Sequence, residues 1–284
     1  MKIKIFSAIL SACLCHFSLR AGTTIDAANH FAYGANAGWM DWRGDTNNGA
    51  VIGEYVCSGY IYSANVGWIS LGSGSPANQI QYQNNSAADF GVNQDGLGNL
   101  RGCAYGANIG WIAFETNGAP KVNLATGQFT GYAYSANCGW ISLSNTFAVV
   151  QTDLIQPAPL APDGLPIAWL LQNFGTTNVN ANADPDGDGA SNQQEYLAGT
   201  DPNNAASVFE VIFFNRPHGT LTSDIAWNAV STRYYALQSR PSLTASNWTD
   251  LVNLPIPGLA SISFTDTDNT NEFYRVRAYR PLEP

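Results

Sequence analysis

One short phrase occurs four times in the first half of the chain and constrains its fold more than any other feature. The copies read YGANAGW, YSANVGW, YGANIGW and YSANCGW, and their tryptophans are Trp39, Trp68, Trp111 and Trp140. Successive tryptophans are separated by 29, 43 and 29 residues, which indicates a unit that was doubled and then doubled again. Because so short a unit cannot bury an apolar face alone, we expect the copies to pack into one domain.

Each copy has the pattern of a β-hairpin. Tyrosine and tryptophan, which strands prefer, flank a turn in which Asn can bond its own backbone and Gly accepts a positive φ. Upstream segments such as VNLATGQF add another strand, so a unit holds about three short strands. Side chains alternate between the two faces of a strand. One face after the turn is apolar in every copy and is predicted to form the core: Met40/Trp42, Ile69/Leu71, Ile112/Phe114 and Ile141/Leu143.

The other face carries a tyrosine and a tryptophan in every copy, and two interpretations of it stay open. The rings could form a second packed layer, which is the more common role of a feature copied into every repeat. They could instead form an exposed platform on which sugar rings stack. The candidate ligand-binding residues are then Tyr33, Trp39, Tyr62, Trp68, Tyr105, Trp111, Tyr134 and Trp140.

Three cysteines, Cys57, Cys103 and Cys138, lie within the repeats. The corresponding positions of the other copies are apolar, so each cysteine is expected to act as a small hydrophobic residue. An exported protein could form a disulfide, but an odd number leaves at least one thiol unpaired within the chain. Disulfide and free thiols therefore both stay open.

Residues 184–195, DPDGDGASNQQE, match the loop of an EF-hand at every liganding position. Calcium prefers six to eight hard oxygen ligands, and this spacing wraps them around one point. The alternative is an Asp/Gly-rich turn that binds no ion. The predicted Ca²⁺ ligands are the carboxylates of Asp184, Asp186, Asp188 and Glu195, the carbonyl of Ala190, and Asn192 directly or through water.

Two features near this loop refine the prediction. Ser191 stands where paired EF-hands carry an aliphatic residue, and no second loop is visible, so we expect a solitary structural site rather than a sensor. Before the loop, IAWLLQNF has apolar residues at helical spacing and Pro166 at its start, which predicts an amphipathic helix.

The remaining segments complete a mainly β architecture. Six strand candidates begin at Val208 and predict a small β-sandwich: VFEVIFF, SDIAWNA, RYYALQSR, NWTDLVNL, ASISFTD and EFYRVRAY. The expected domains are a signal peptide at 1–21, an antiparallel repeat domain at 22–150, a Pro-rich linker at 151–165, a helix plus calcium loop at 166–203, and the sandwich at 204–284.

The start of the chain has the pattern of a secretory signal. Lys2 and Lys4 precede an apolar run that is too short to span a bilayer and ends in small residues at Ala21 and Gly22. A lipoprotein signal ending at Cys13 is the alternative. No later segment is apolar enough to cross a membrane, so we expect an exported protein, extracellular or at the cell surface.

Composition and motifs argue against two classes of function. The formal net charge is −9, whereas binding of nucleic acid phosphates requires Lys and Arg. The chain has no nucleophile elbow, no Gly-rich phosphate loop and no His/Cys zinc cluster, and His30 and His218 lie in unrelated modules. Asp41, Glu54 and Glu115 could in principle pair as glycosidase carboxylates, but none recurs at a matching position of another copy, and single acids on a β surface are usually solvated. We therefore expect a non-enzymatic protein.

Three segments resemble known families of exported bacterial proteins. GYAYSANCGWISL at 131–143 is similar to a repeat of secreted bacterial proteins, and DPDGDGASNQQEYLAGTDP resembles the thrombospondin type 3-like calcium repeat. The run from Trp227 to FYRVRAY is similar to a fibronectin type III-like C-terminal module. These resemblances imply calcium binding, a spacer between modules, and display at the cell surface.

The function expected from these features is that of an exported structural or adhesive protein with one structural calcium site. The alternative is a glycan-binding accessory protein that uses the Tyr/Trp face. The partners expected are a cell-surface polysaccharide or another extracellular protein.

Overall fold

A computed structural model describes residues 22–44, 47–217, 222–254, 260–267 and 273–283. The predicted signal peptide, with Cys13, and His218 lie outside these residues. The described residues are mainly β, as predicted, with two short α-helices, α1 Ile167–Phe174 and α2 Asn192–Ala198, and a 3₁₀ helix at Thr116–Gly118.

The described strands fall into a large N-terminal group and a smaller C-terminal group. The N-terminal strands are β1 Ile25–Gly34, β2 Gly38–Asp41, β3 Val51–Ile52, β4 Cys57–Ser63, β5 Gly67–Ser73, β6 Val92–Gln94, β7 Leu100–Gly106, β8 Gly110–Phe114, β9 Lys121–Val122, β10 Phe129–Thr130, β11 Tyr132–Ser135, β12 Gly139–Ser142 and β13 Val150–Thr152. The C-terminal strands are β14 Val211–Asn215, β15 Ser223–Asn228, β16 Tyr234–Arg240, β17 Thr249–Leu254, β18 Ser261–Asp266 and β19 Phe273–Tyr279.

Each copy of the repeated phrase forms one antiparallel hairpin of a closed sheet. The hairpins are β1–β2, β4–β5, β7–β8 and β11–β12, and the last strand pairs back onto the first. The junctions between hairpins are equivalent: each joins the residue two positions after a repeat tryptophan to the repeat tyrosine of the next hairpin. The pairs are Asp41–Tyr62, Ser70–Tyr105, Ala113–Tyr134 and Ser142–Tyr33. Closure leaves this ring of hairpins without a free edge.

The predicted core face points into the closed sheet. All eight residues assigned to it are buried, and Trp42 is the largest, with 2% of its surface exposed. Its indole contacts Phe114 and Phe129 edge to face at centroid distances of 6.4 and 5.1 Å. The core prediction is therefore confirmed.

The asparagine of each hairpin turn links neighbouring turns. The Nδ2 atoms donate to backbone carbonyls of the adjacent turn in a closed circle: Asn36 to Cys138, Asn65 to Ala37, Asn108 to Val66 and Asn137 to Ile109, at 3.2, 3.2, 3.1 and 3.0 Å. The interpretation that this asparagine bonds its own backbone is thus wrong for the side-chain amide. The glycine two residues later needs its positive φ, as at Gly67, where φ is 80°.

The three repeat cysteines are free thiols. Cys57 and Cys138 are buried at apolar positions, as predicted, while Cys103 is half-buried. Burial raises the pKa of Cys57 to about 12, so this group stays a neutral thiol at physiological pH.

The segment 151–165, predicted as a Pro-rich linker, lies against the closed sheet. Leu154 and Ile155 are buried, and the Gln156 amide that follows donates to the Ile52 carbonyl at 2.8 Å. α1 begins after Pro166 and is capped at its C-terminus by Gly175, which has a φ of 66°. The predicted helix is therefore confirmed, and Trp169 on it packs against Tyr196 of α2 at 5.7 Å.

The C-terminal strands form two three-stranded sheets, ordered β14-β15-β18 and β17-β16-β19. Between the sheets lies a core of Ile225 and Trp227 from one and Tyr235 and Leu237 from the other. All six predicted strands are present, and the arrangement is a small β-sandwich.

Candidate metal site and aromatic surface

The loop 184–195 is folded by its own aspartates. Asp184 accepts hydrogen bonds from the amides of Gly187 and Gly189 at 2.8 and 2.9 Å. Asp186 accepts one from the Asp188 amide at 3.2 Å, and Asp188 accepts one from the amide two residues further on at 2.7 Å. These local turns converge the side chains, so that carboxylate oxygens of Asp184, Asp186 and Asp188 lie within 4.8 Å of one another.

Helix α2 brings two more predicted ligands to the loop. It begins with a capping box in which Ser191 accepts from the Gln194 amide and Gln194 accepts from the Ser191 amide. Ser191, which departs from the paired EF-hand pattern, therefore serves as the helix cap. Asn192 and Glu195 are three residues apart on one helix face, and both are fully buried.

Unpaired buried oxygens show what this site lacks. The atoms Oδ2 of Asp186, Oδ2 of Asp188, Oδ1 of Asn192 and Oε2 of Glu195 are buried without a hydrogen-bond partner among the described residues. The Asn192 amide nitrogen donates to the Asn180 carbonyl at 2.9 Å, which fixes the orientation of the side chain. A buried unpaired polar atom costs about 1–3 kcal/mol, and a hard divalent cation prefers such oxygens. The residues present fit calcium.

The electrostatics of the site also favour a bound cation. Burial, and then the charges of Asp186 and Asp188, raise the pKa of Glu195 to about 7. Thr200 donates a hydrogen bond to Glu195 Oε1 at 3.3 Å and offsets this only in part. A bound cation would remove the repulsion between these carboxylates.

The three aspartates thus form one cluster, and Glu195 lies close enough for their charges to raise its pKa, with two qualifications of the EF-hand comparison. Residues 175–183 separate α1 from the loop, so a helix directly adjoins the loop only on its C-terminal side. Ala190 lies half-buried in the loop, and its carbonyl remains a predicted ligand.

Helix α2 is also held from both large domains. The Tyr196 hydroxyl donates to Glu54 of the repeat domain at 3.1 Å and accepts from Arg280 of the C-terminal sandwich. Arg280 forms an ion pair with Glu54 at 3.3 Å. Arg233 donates to the Leu197 carbonyl at 2.8 Å and to the Tyr196 carbonyl. We call Glu54, Tyr196, Arg233 and Arg280 the joint cluster.

Sequence reasoning missed this cluster as a unit. The sequence suggested Glu54 only as a candidate catalytic acid, and it suggested Tyr196 only as part of the stretch that resembles the calcium repeat. Burial, and then Glu54, raise the pKa of Tyr196, so its hydroxyl stays a hydrogen-bond donor at neutral pH. The one signal in the sequence is that Tyr196 directly follows the predicted ligand Glu195.

The repeat tryptophans lie on the outside of the closed sheet. Trp39, Trp68, Trp111 and Trp140 are 44–50% exposed, so the interpretation of this face as a second packed layer is wrong. Each indole contacts the tyrosine opposite it in its hairpin, at centroid distances of 5.4, 4.9, 4.8 and 5.0 Å. We call the four Tyr/Trp pairs, Tyr33/Trp39, Tyr62/Trp68, Tyr105/Trp111 and Tyr134/Trp140, the aromatic belt.

Comparison with known proteins identifies the loop and leaves the rest of the chain without a match. Residues 184–205 match the family described as bacterial TSP3 repeat, a calcium-binding type typical of extracellular proteins. No curated protein and no solved structure matched the chain. The resemblances for the N-terminal repeats and the C-terminal module therefore remain predictions. Within the described residues, no helix has the length and apolar character that a membrane crossing requires. Residues 184–205 thus resemble a calcium-binding repeat of extracellular bacterial proteins.

Proposed function

We propose that this chain is an exported, non-enzymatic structural or adhesive protein in which one bound Ca²⁺ fixes the joint between its two β domains. The observation that carries this proposal is the position of two neighbours on α2. Glu195 turns into the calcium loop, while Tyr196 reaches Glu54 in the repeat domain and Arg280 in the sandwich. Whatever orders α2 therefore orders the contact between the domains.

Calcium would be held by Asp184, Asp186, Asp188, Asn192 and Glu195, with the Ala190 carbonyl. A single loop outside the cell needs only modest affinity, about 10⁻⁴ to 10⁻³ M, as in other extracellular modules. Because the ion binds the folded loop and not the unfolded chain, it adds stability by mass action. The role we assign to the ion is to stiffen the spacer, which suits a protein whose modules must keep a set orientation at a surface.

Tyr196→Phe tests the joint separately from the metal. The variant keeps the ring but removes the hydroxyl between Glu54 and Arg280, so we expect the joint to weaken by about 1–3 kcal/mol. With saturating calcium, residues 151–165 should become more sensitive to limited proteolysis, while calcium uptake stays near that of the parent. Tyr132→Phe, on the exposed outer surface of the closed sheet, is the matched control. Parent-like proteolysis of Tyr196→Phe would contradict the proposed role of the joint cluster.

A second candidate function is glycan binding by the aromatic belt, and the exposure of its four indoles favours it. Flat aromatic rings with a polar group nearby are suited to ligands that combine apolar and hydroxylated surfaces, as sugars do. A glycan array on the full chain tests this. We expect binding to a neutral polysaccharide, lost when Trp39, Trp68, Trp111 and Trp140 are all replaced by Ala. The absence of any bound glycan would leave the structural role alone.

A further inference from the structure

The four copies of the aromatic belt differ at one outward position. The residue two positions after each tryptophan lies on the same outer face, between a residue of its own hairpin and the tyrosine of the next. The four arrangements are Asp41 between Phe31 and Tyr62, Ser70 between Tyr60 and Tyr105, Ala113 between Cys103 and Tyr134, and Ser142 between Tyr132 and Tyr33. The fold thus builds four similar sites with different polar groups at their centres.

Asp41 has an oxygen free to bind a ligand. Its Oδ1 accepts from the Arg43 amide at 2.8 Å and lies 2.7 Å from Nδ1 of His30, which fixes the carboxylate. Its Oδ2 has no hydrogen-bond partner within the described part of the chain, and the side chain is 28% exposed. The first copy therefore presents a held, partly exposed carboxylate oxygen among aromatic rings.

The central residues of the other three copies offer weaker hydrogen-bond acceptors to a ligand. The Ser70 hydroxyl accepts from the Gly72 amide at 3.2 Å, and the Ser142 hydroxyl donates to the Ser144 carbonyl at 3.0 Å. Ala113 has no polar group. Only the first copy places a charged acceptor at this position.

The aromatic surroundings also single out the first copy, because its indole contacts three rings and the indole of every other copy contacts two within the described residues. Trp39 contacts Phe31, Tyr33 and Phe147 at 5.7, 5.4 and 5.9 Å, and Phe147, at 62% exposed, enlarges the surface. In the third copy Cys103 replaces the aromatic residue that corresponds to Phe31. There Phe90 packs on Trp111 at 5.1 Å instead.

We propose that the first copy, built on Trp39 and Asp41, is the principal sugar-binding subsite of the aromatic belt, and that it takes a neutral glycan. This proposal rests on the second candidate function above. The indole and its aromatic neighbours stack on the apolar face of a sugar ring, while Asp41 Oδ2 accepts a hydrogen bond from a ring hydroxyl. A charged acceptor makes such a bond about twice as strong as a neutral one. The same carboxylate repels sugars that carry carboxylates or sulfates.

The third copy provides a comparison within the same chain. The full chain would be titrated calorimetrically with a soluble β-glucan, an α-glucan, a mannan, a xylan and an acidic polygalacturonate. We expect a neutral polysaccharide to bind and polygalacturonate not to bind. Trp39→Ala and Asp41→Asn should each weaken binding by about tenfold or more, because they remove the stacking surface and the charged acceptor. Trp111→Ala should weaken binding less than Trp39→Ala does, and Phe213→Ala, which removes an exposed ring of the C-terminal sandwich, should leave affinity unchanged.

A gain-of-function variant keeps the test informative even if the variants that weaken binding misfold. Ala113→Asp places a carboxylate at the third centre and should strengthen binding, with circular dichroism unchanged. If the parent binds a neutral glycan but Trp111→Ala weakens binding as much as Trp39→Ala, the ranking of the copies is wrong while glycan binding stands. Unchanged affinity in Asp41→Asn would likewise show that the ranking of the copies is wrong. If no polysaccharide binds the parent, glycan binding itself fails and this subsite fails with it.

Discussion

Replacing Glu195 by Gln is expected to remove the calcium-dependent stability of residues 184–203. Glu195 is fully buried beside three aspartates, and one of its oxygens has no partner. At calcium concentrations about ten times the Kd, the ion adds about 1.4 kcal/mol to a folded site, and the amide forfeits most of this because it cannot supply a charged bidentate ligand. Thermal unfolding in millimolar calcium and in EDTA measures the difference.

The effect of Glu195→Gln on stability should reverse its sign when calcium is removed. In EDTA the charges of Asp186 and Asp188 repel the buried Glu195 carboxylate, whereas they do not repel a neutral glutamine. Glu195→Gln should therefore be at least as stable as the parent without calcium and less stable with it. Glu210→Gln, at an exposed position, is the control and should keep the full calcium response. A variant that responds to calcium as the parent does would exclude Glu195 as a ligand.

Trp42→Ala is expected to destabilise the repeat domain more than any change in the aromatic belt. The indole fills the interior of the closed sheet between Phe114 and Phe129, so its removal leaves a cavity worth about 3–5 kcal/mol. The control is Trp140→Ala, because that indole is half exposed and should cost less than about 1 kcal/mol. Urea unfolding followed by circular dichroism compares the two. Equal losses would contradict the assignment of inner and outer faces.

The hairpins and their inner face were predictable because they depend on residues close in sequence. Alternation places Ile69 and Leu71 on one side of β5 and Trp68 on the other. Closure of the sheet was not predictable, since it needs Ser142 to pair with Tyr33 across most of the domain. Closure uses the interior for a single core and leaves the aromatic belt outside, which is why the expectation of a second packed layer failed.

The same distinction between local and distant contacts explains what was predicted of the site. The predicted calcium ligands lie within twelve consecutive residues, so their spacing alone was enough to predict them. The joint cluster draws Glu54, Arg233 and Arg280 from three distant parts of the chain, and each alone resembles an ordinary surface charge. The orientation of Asn192, set by the Asn180 carbonyl, likewise depends on a chain segment outside the motif.

The central claim is that calcium binds this loop, and isothermal titration calorimetry of the full chain tests it most directly. We predict uptake of about one ion per chain with a Kd of about 10⁻⁴ to 10⁻³ M, and loss of that uptake in Glu195→Gln. No heat of binding at millimolar calcium, or uptake that Glu195→Gln leaves unchanged, would contradict the account.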